Sequence, residues 1–240
     1  MQQSEDLEYL CAVYHMSGKI NESIDVLKTI IGSGVKIDKK KRDLFSAVYK
    51  AAIDSRRSLL FEYGNVVRDL CDLMDAIYDL YLDKYHDEVA LLISYCKDAI
   101  GMIENILRGE NDIPTIVYFI RFRGDLYRYI CEFADSDESE SSSKKAEEAY
   151  KEALDICEGN LPKEDPIRLG LLLNKSIFLY EIKHNIEEAY ETISYVLQDY
   201  EICVNNLSLE SQTESQEILA VMKDNLNNWA CEIDFMSQLD

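Results

Sequence analysis

The sequence predicts an all-α protein of nine antiparallel helices. Apolar residues recur at helical spacing in nearly every segment, no segment sustains an alternation of period two, and glycine and proline stand between the periodic segments. With 47% hydrophobic residues and three prolines in 240 residues, the chain can form a large continuous core. We therefore expect one folded domain over residues 1–235 and a short C-terminal tail at 236–240.

Local signals define several boundaries of the predicted helices. Asp165 before Pro166 is typical of an N-cap followed by proline at the first helical position, while Gly18 and Gly34 suit helix C-termini. The third and fourth helices are long, so we expect a break in one of them near Gly64. The predicted helices span residues 4–17, 21–33, 39–70, 73–108, 114–135, 144–159, 166–184, 187–206 and 212–235.

Residues 135–145, DSDESESSSKK, are polar and of low complexity. This composition predicts a solvated loop between two helices. Ser136 and Ser139 are each followed by acidic residues, as in substrates of acid-directed kinases. Ser237, in the predicted tail, is a further candidate for phosphorylation, and a phosphorylated tail could bind the protein itself as an autoinhibitor.

Charge and cysteine content exclude several classes of partner. A formal net charge of -21 repels phosphate backbones and anionic lipids, so nucleic acid and membrane are poor partners. Seven scattered cysteines without a CxxC pair suggest neither a disulfide framework nor a zinc site, and they are expected to be reduced core residues. The acidic N-terminus and the lack of a long apolar run predict a cytoplasmic or nuclear protein.

Catalytic and metal-binding motifs are missing from the sequence. The three histidines, His15, His86 and His184, lack a second ligand at metal-binding spacing, and no GxSxG, HExxH or phosphate-binding glycine loop occurs. We therefore predict that the protein is not an enzyme and needs no cofactor.

Two predicted helices carry the same stripe of cation, acid and cation at positions i, i+4 and i+7. The stripes are Lys50, Asp54 and Arg57 in one helix and Arg121, Asp125 and Arg128 in the other. Exposed intrahelical ion pairs are common and contribute only about a few tenths of a kcal/mol. If the two helices pack side by side, however, four cations converge and the aspartates hold the guanidinium groups in place. Such a site suits a phosphorylated side chain, inorganic phosphate or a sugar phosphate.

Four segments resemble the 14-3-3 family of phosphoserine- and phosphothreonine-binding adaptors. They are RDLFSAVYKAAIDSRRS (42–58), RGDLYRY (123–129), DPIRLGLLLNKSIFLYEI (165–182) and MKDNLNNWA (222–230), in the family's order. The resemblance implies that the nine helices form a concave amphipathic groove, distantly similar to tetratricopeptide folds.

The resemblance also implies a binding role for individual residues. Phosphate contacts fall on Lys50, Arg57, Arg128 and the hydroxyl of Tyr129, with Arg121 and Asp125 in support. Asn174 and Asn225 match asparagines that bind the peptide backbone, and Glu181 and Trp229 match residues that fix its flank. The facing apolar wall comprises Leu173, Ile177, Gly170, Ile218 and Val221.

Some positions depart from the family pattern. Glu217 and Asn228 stand where leucines are usual in the last helix, Arg121 replaces a lysine, and Leu60 replaces a tryptophan. The carboxylate and the amide in the apolar wall should weaken apolar peptide flanks and favour basic or polar ones.

The leading hypothesis is an adaptor that binds phosphorylated client proteins and regulates them. Family members dimerise, and Lys19 and Glu22 match charged residue types at that interface, so a homodimer or a heterodimer with a related protein is expected. Two alternatives are a tetratricopeptide-like scaffold for unmodified peptides and a degenerate family member that acts only as a heterodimer partner. A partial helical-hairpin repeat, at Val13 and at Leu179, motivates the scaffold alternative.

Overall fold

The computed structural model describes residues 2–70, 75–200 and 208–237. Within these ranges it contains nine helices and no strand, which confirms the predicted all-α class. The helices are α1 (Gln2–Met16), α2 (Ile20–Gly32), α3 (Lys39–Leu70), α4 (Asp75–Leu107), α5 (Ile113–Phe133), α6 (Ser136–Cys157), α7 (Pro166–Glu181), α8 (Ile186–Tyr200) and α9 (Leu209–Ser237). The last residues of the predicted eighth helix and of the predicted tail lie outside the described ranges, and so does the side chain of Ser237.

The predicted helix ends at Asp165, Gly18 and Gly34 are confirmed. The Asp165 carboxylate accepts a hydrogen bond of 2.8 Å from the backbone N–H of Ile167, and Pro166 occupies the first turn of α7. Gly18 and Gly34 follow α1 and α2 with φ of +72° and +71°, a conformation that side-chain-bearing residues rarely adopt.

Two expectations about helix continuity are wrong. Residues 136–145 are not a loop, because α6 begins at Ser136. The Asp135 carboxylate accepts a hydrogen bond of 3.0 Å from the backbone N–H of Glu138 and caps the helix, and Ser142 in the next turn is buried. In addition, α3 continues through Gly64 without a break, since glycine weakens a helix by only about 1 kcal/mol and this helix is long.

The helices form two compact units. The first contains residues 1–110 and 133–139, and the second contains residues 111–132 and 140–240. In the first unit α1 packs on α2 and α3 packs on α4, around buried residues that include Leu27, Phe45 and Leu92. In the second unit α7, α8 and α9 pack together around Leu169, Ile193 and Met222. A single domain over residues 1–235 stays a prediction.

The described cysteines are thiols rather than disulfides. Four of them are buried as predicted, namely Cys11, Cys96, Cys131 and Cys157. Cys231 is exposed, so the prediction of a core position is wrong there, and the side chains of Cys71 and Cys203 lie outside the described residues. None of the described helices combines the length and the apolar character required to cross a bilayer.

Candidate functional site

The site residues of the second unit are organised by α5, which buries polar groups along with apolar ones. Gly124, Asp125, Arg128 and Tyr129 are all buried on this helix. Gly124 allows α6 to pack closely against α5, because the ring of Tyr150 on α6 lies only 2.9 Å from the place where a Cβ on residue 124 would be. A larger residue at position 124 would push α6 away from α5.

Arg128 is held between two carboxylates. Its Nη1 donates a hydrogen bond of 3.0 Å to Glu132, one turn along α5, and one of 2.6 Å to Glu181 at the end of α7. The guanidinium carbon lies 4.6 Å from the ring centroid of Tyr129. Burial opposes the positive charge, but Tyr150, Tyr129, Asp125 and Glu181 outweigh it and raise the pKa of Arg128. Arg128 is therefore a fixed, permanently charged cation that is only 6% exposed.

Asp125 binds an amide and a phenol rather than a guanidinium group. Its Oδ1 accepts a hydrogen bond of 2.8 Å from the Tyr150 hydroxyl, and its Oδ2 accepts one of 2.8 Å from Nδ2 of Asn174. Nε of Arg121 is 4.0 Å from Oδ2, which is an ion-pair contact beyond hydrogen-bond distance. Burial and the nearby Asp125 carboxylate raise the pKa of Tyr150 well above its usual value, so its hydroxyl keeps the proton that it donates.

Arg121 connects α5 to the apolar wall. Its guanidinium carbon lies 4.8 Å from the ring centroid of Tyr118, and its Nη1 lies 2.6 Å from the place where a Cβ on Gly170 would be. A methyl group of Ile218 on α9 is 3.9 Å from the same point. Because glycine has no side chain, the guanidinium group of Arg121 can occupy the space beside Gly170.

The predicted apolar residues lie on α7 and α9. Leu173 is buried, Ile177 and Ile218 are half-buried, and Val221 is exposed. Trp229 is 4% exposed because its indole stacks on the ring of Tyr180, with centroids 5.1 Å apart.

The polar positions of α9 are more accessible than its core residues. Asn225 is half-buried, whereas Glu217 and Asn228, which depart from the family pattern, are exposed. A carboxylate at position 217 is therefore available to a ligand along α9.

The first unit carries the other predicted phosphate contacts, Lys50 and Arg57, on α3. Both side chains are partly exposed, and Nη1 of Arg57 is 3.4 Å from Oδ1 of Asp54, the acid of the same stripe. The neighbouring Arg56 instead pairs with Glu88 on α4 at 2.8 Å. That Lys50 and Arg57 share a ligand with Arg128 stays a prediction.

Two residues of this network, Glu132 and Tyr150, are not among those predicted from the sequence. Glu132 could have been found, since it stands four residues after Arg128 and that spacing places both side chains on one helix face. Tyr150 had no local signal, because it reaches Asp125 from a different helix. Across the described residues no cluster of histidine, cysteine or acidic side chains could hold a metal ion.

Comparisons with known proteins agree on one protein family. The family model described as 14-3-3 protein matches residues 10–230. The chain belongs to the 14-3-3 family. The range matched by the 14-3-3 model includes all four segments that resemble the family. Membership implies an adaptor or regulator that recognises phosphoserine.

Individual 14-3-3 relatives match over most of their length. The 14-3-3 protein I of Plasmodium falciparum (isolate 3D7) is 29% identical over 238 residues, covering 95% of this chain and 90% of that protein. The 14-3-3 protein homolog 2 of Echinococcus granulosus is 30% identical over 213 residues, covering 87% and 84%. Protein BMH2 of Saccharomyces cerevisiae (strain ATCC 204508 / S288c) is 28% identical over 245 residues, covering 100% and 89%.

Proposed function

We propose that this 14-3-3 protein binds phosphorylated serine or threonine in client proteins and regulates them by binding alone, without catalysis or a cofactor. Arg128 is the observation that carries the proposal. A guanidinium group that is almost fully buried, stacked on Tyr129 and held by two carboxylates is fixed before any ligand arrives. A fixed cation loses little conformational entropy when it binds an anion.

A phosphate dianion suits this arrangement because it accepts several charge-assisted hydrogen bonds at once. In the proposed complex Arg128 and the hydroxyl of Tyr129 bind the phosphate together with Lys50 and Arg57. Glu181 is 41% exposed, so its side chain can turn away from Arg128 into water when the phosphate arrives. Glu132 is more buried and stays as the counter-charge of Arg128.

The rest of the proposed groove recognises an extended peptide. Asn174 and Asn225 bind the peptide backbone, while Leu173, Ile177, Ile218 and Val221 contact its side chains. Glu181 and Trp229 lie near its flank, as the family pattern implies. Since Glu217 and Asn228 are exposed polar groups on α9, we expect the preferred flanks to be basic or polar.

A regulatory role agrees with the relatives. One of them, 28% identical over 236 residues, is named checkpoint signal transducer rad25, from Schizosaccharomyces pombe (strain 972 / ATCC 24843).

We propose the cytoplasm as the main location of this chain, with the nucleus as a second one.

We also propose that the protein forms a homodimer or a heterodimer with a related 14-3-3 protein. The exposed apolar residues Tyr9, Val13 and Met16 follow each other at i, i+4 and i+7 on α1, and they form a stripe that a partner would cover. Native mass spectrometry should find a dimer that the substitution Met16→Glu weakens. A monomer at micromolar concentration would contradict this proposal.

The test of phosphate recognition is fluorescence anisotropy with one peptide in phosphorylated and unphosphorylated forms. The proposal predicts that only the phosphorylated form binds tightly. Equal affinities would favour a scaffold for unmodified peptides, and no binding of either form would favour a degenerate family member.

A further inference from the structure

Tyr150, Asp125 and Asn174 form one hydrogen-bonded chain across three helices. The Tyr150 hydroxyl on α6 donates to Oδ1 of Asp125 on α5, and Nδ2 of Asn174 on α7 donates to Oδ2 of the same carboxylate, both at 2.8 Å. Each carboxylate oxygen thus accepts one hydrogen bond. Asp125 and Tyr150 are each 1% exposed and Asn174 is half-buried, so water has little access to the Asp125 carboxylate.

This series of hydrogen bonds determines which way the amide of Asn174 faces. A carboxylate only accepts hydrogen bonds, so the nitrogen of the amide must face Asp125. The amide oxygen then lies on the opposite side of the planar group, where it can accept a hydrogen bond from a peptide N–H. If Asp125 moved, the amide of Asn174 could rotate and present its nitrogen instead.

Tyr150 in turn keeps Asp125 in place. Its ring packs on the Phe178 ring of α7, with centroids 5.4 Å apart, and closely against Gly124 of α5. The ring is therefore held by α5 and α7, the two helices that carry Asp125 and Asn174. This rigidity leaves one position for the hydroxyl and hence one rotamer of Asp125 that satisfies both donors.

We propose that Tyr150 and Asp125 are positioning residues, which orient the Asn174 amide so that its oxygen accepts a backbone N–H of the bound phosphopeptide. This inference rests on the proposed function. It assigns a role to Tyr150 and changes the expected role of Asp125 from holding guanidinium groups to holding an amide.

A double-mutant cycle tests the inference. Phosphopeptide affinity is measured for the wild type, Tyr150→Phe, Asn174→Ala and the double variant. Removing one hydrogen bond, or misdirecting its acceptor, is expected to weaken binding about five- to tenfold in each single variant. Because Tyr150 acts through Asn174, the double variant should bind no more weakly than Asn174→Ala.

A matched control separates positioning from general loss of stability. Tyr49 is also a buried tyrosine, and its hydroxyl donates to an aspartate, Asp98, at 2.6 Å, but it lies in the first unit. Tyr49→Phe should lower the free energy of unfolding without changing phosphopeptide affinity. In the free protein, the side-chain NH₂ resonances of Asn174 should shift or broaden in Tyr150→Phe and remain unchanged in Tyr49→Phe.

The outcomes distinguish the inference from the function on which it rests. A wild type that binds phosphorylated and unphosphorylated peptides equally contradicts the proposed function and this inference with it. A wild type that requires phosphate, with Tyr150→Phe binding equally well, contradicts the inference alone. Additive losses in the double variant also contradict it, since Tyr150 would then act independently of Asn174.

Discussion

Nη1 of Arg128 donates a hydrogen bond of 2.6 Å to Oε2 of Glu181, so the most buried cation of the candidate site already has an anionic partner. The same nitrogen also contacts Glu132 at 3.0 Å. The buried charge is thus compensated in the free protein, and an incoming phosphate has to replace or tolerate the Glu181 carboxylate. The affinity for a phosphorylated ligand then depends on how much more strongly Arg128 binds the phosphate than it binds the Glu181 carboxylate.

Glu181→Gln should strengthen phosphopeptide binding. The amide keeps the shape of the side chain but removes a negative charge that repels the phosphate, and we expect a gain of about three- to tenfold for a peptide with uncharged flanks. Isothermal titration calorimetry measures it. Glu147→Gln is the control, because it changes the net charge equally at a carboxylate that pairs with Lys183 instead. Weaker binding by Glu181→Gln would mean that the carboxylate assists the peptide rather than competes with it.

Glu217→Leu should change the preference for peptide flanks. Replacing an exposed carboxylate of α9 by an apolar side chain is expected to raise affinity for phosphopeptides with apolar flanks and lower it for arginine-rich ones, each by about three- to tenfold. A phosphopeptide array compares the two sets. The adjacent exposed residue Gln216 faces about 100° away around the helix, so Gln216→Leu should leave the preference unchanged. An unaltered preference in Glu217→Leu would place this residue outside the groove.

Three helical glycines should respond differently to alanine. A Cβ on Gly124 would lie 2.9 Å from the buried ring of Tyr150, so Gly124→Ala should destabilise the fold by about 1–3 kcal/mol. A Cβ on Gly170 would meet the flexible end of Arg121, which can move, and the cost to stability should be small. Nothing lies within 4 Å of that point on Gly101, so Gly101→Ala should stabilise the protein by about 0.5–1 kcal/mol. Urea unfolding measures the change in the free energy of unfolding for all three variants. Equal changes at positions 124 and 101 would contradict the close packing of Gly124 against Tyr150.

Sequence patterns predicted most helices because caps and apolar spacing are local. Asp165 and Pro166 begin α7 as expected, and the glycines after α1 and α2 end those helices. The start of α6 differs from the prediction because a polar, serine-rich composition is typical of loops. The Asp135 cap is a local signal that the sequence carries three residues before Glu138, whereas the burial of Ser142 depends on the folded chain.

The candidate site shows the same division between local and tertiary information. Spacing along α5 correctly placed Arg121, Asp125 and Arg128 on one helix, and it suggested that the aspartate holds the arginines. The hydrogen bonds of this carboxylate go to Tyr150 and Asn174 instead, and Arg121 lies at an ion-pair distance of 4.0 Å. Those partners come from other helices, so no spacing within α5 could predict them.

The stability contributed by Glu8 should depend on pH. This buried carboxylate pairs with Lys40 at 3.0 Å and Lys41 at 3.2 Å. Burial raises the pKa of Glu8, but the two lysines outweigh it and hold the pKa below the usual value of 4.5. A carboxylate whose pKa is lower in the folded than in the unfolded state stabilises the protein at pH values above its unfolded-state pKa. This stabilisation is lost as the pH falls through the folded-state pKa.

Glu8→Gln should therefore be less stable than the wild type at neutral pH, with a difference that shrinks as the pH falls below 4.5. Chemical unfolding at several pH values measures this difference. Glu104→Gln, at an exposed position on α4, should show no comparable pH-dependent loss. A difference for Glu8→Gln that is constant with pH would exclude the ion pairs as its cause.

The most direct test of the central claim is the ratio of affinities for one peptide in phosphoserine and serine forms, measured in the wild type, Arg57→Ala and Arg128→Ala. If both arginines bind the phosphate, each substitution should cost about 2–4 kcal/mol for the phosphorylated peptide and bring the ratio close to one. Arg56→Ala, which removes the neighbouring arginine paired with Glu88, should keep the wild-type ratio. A large ratio that persists in Arg57→Ala or in Arg128→Ala would contradict the proposal that these two arginines bind the phosphate.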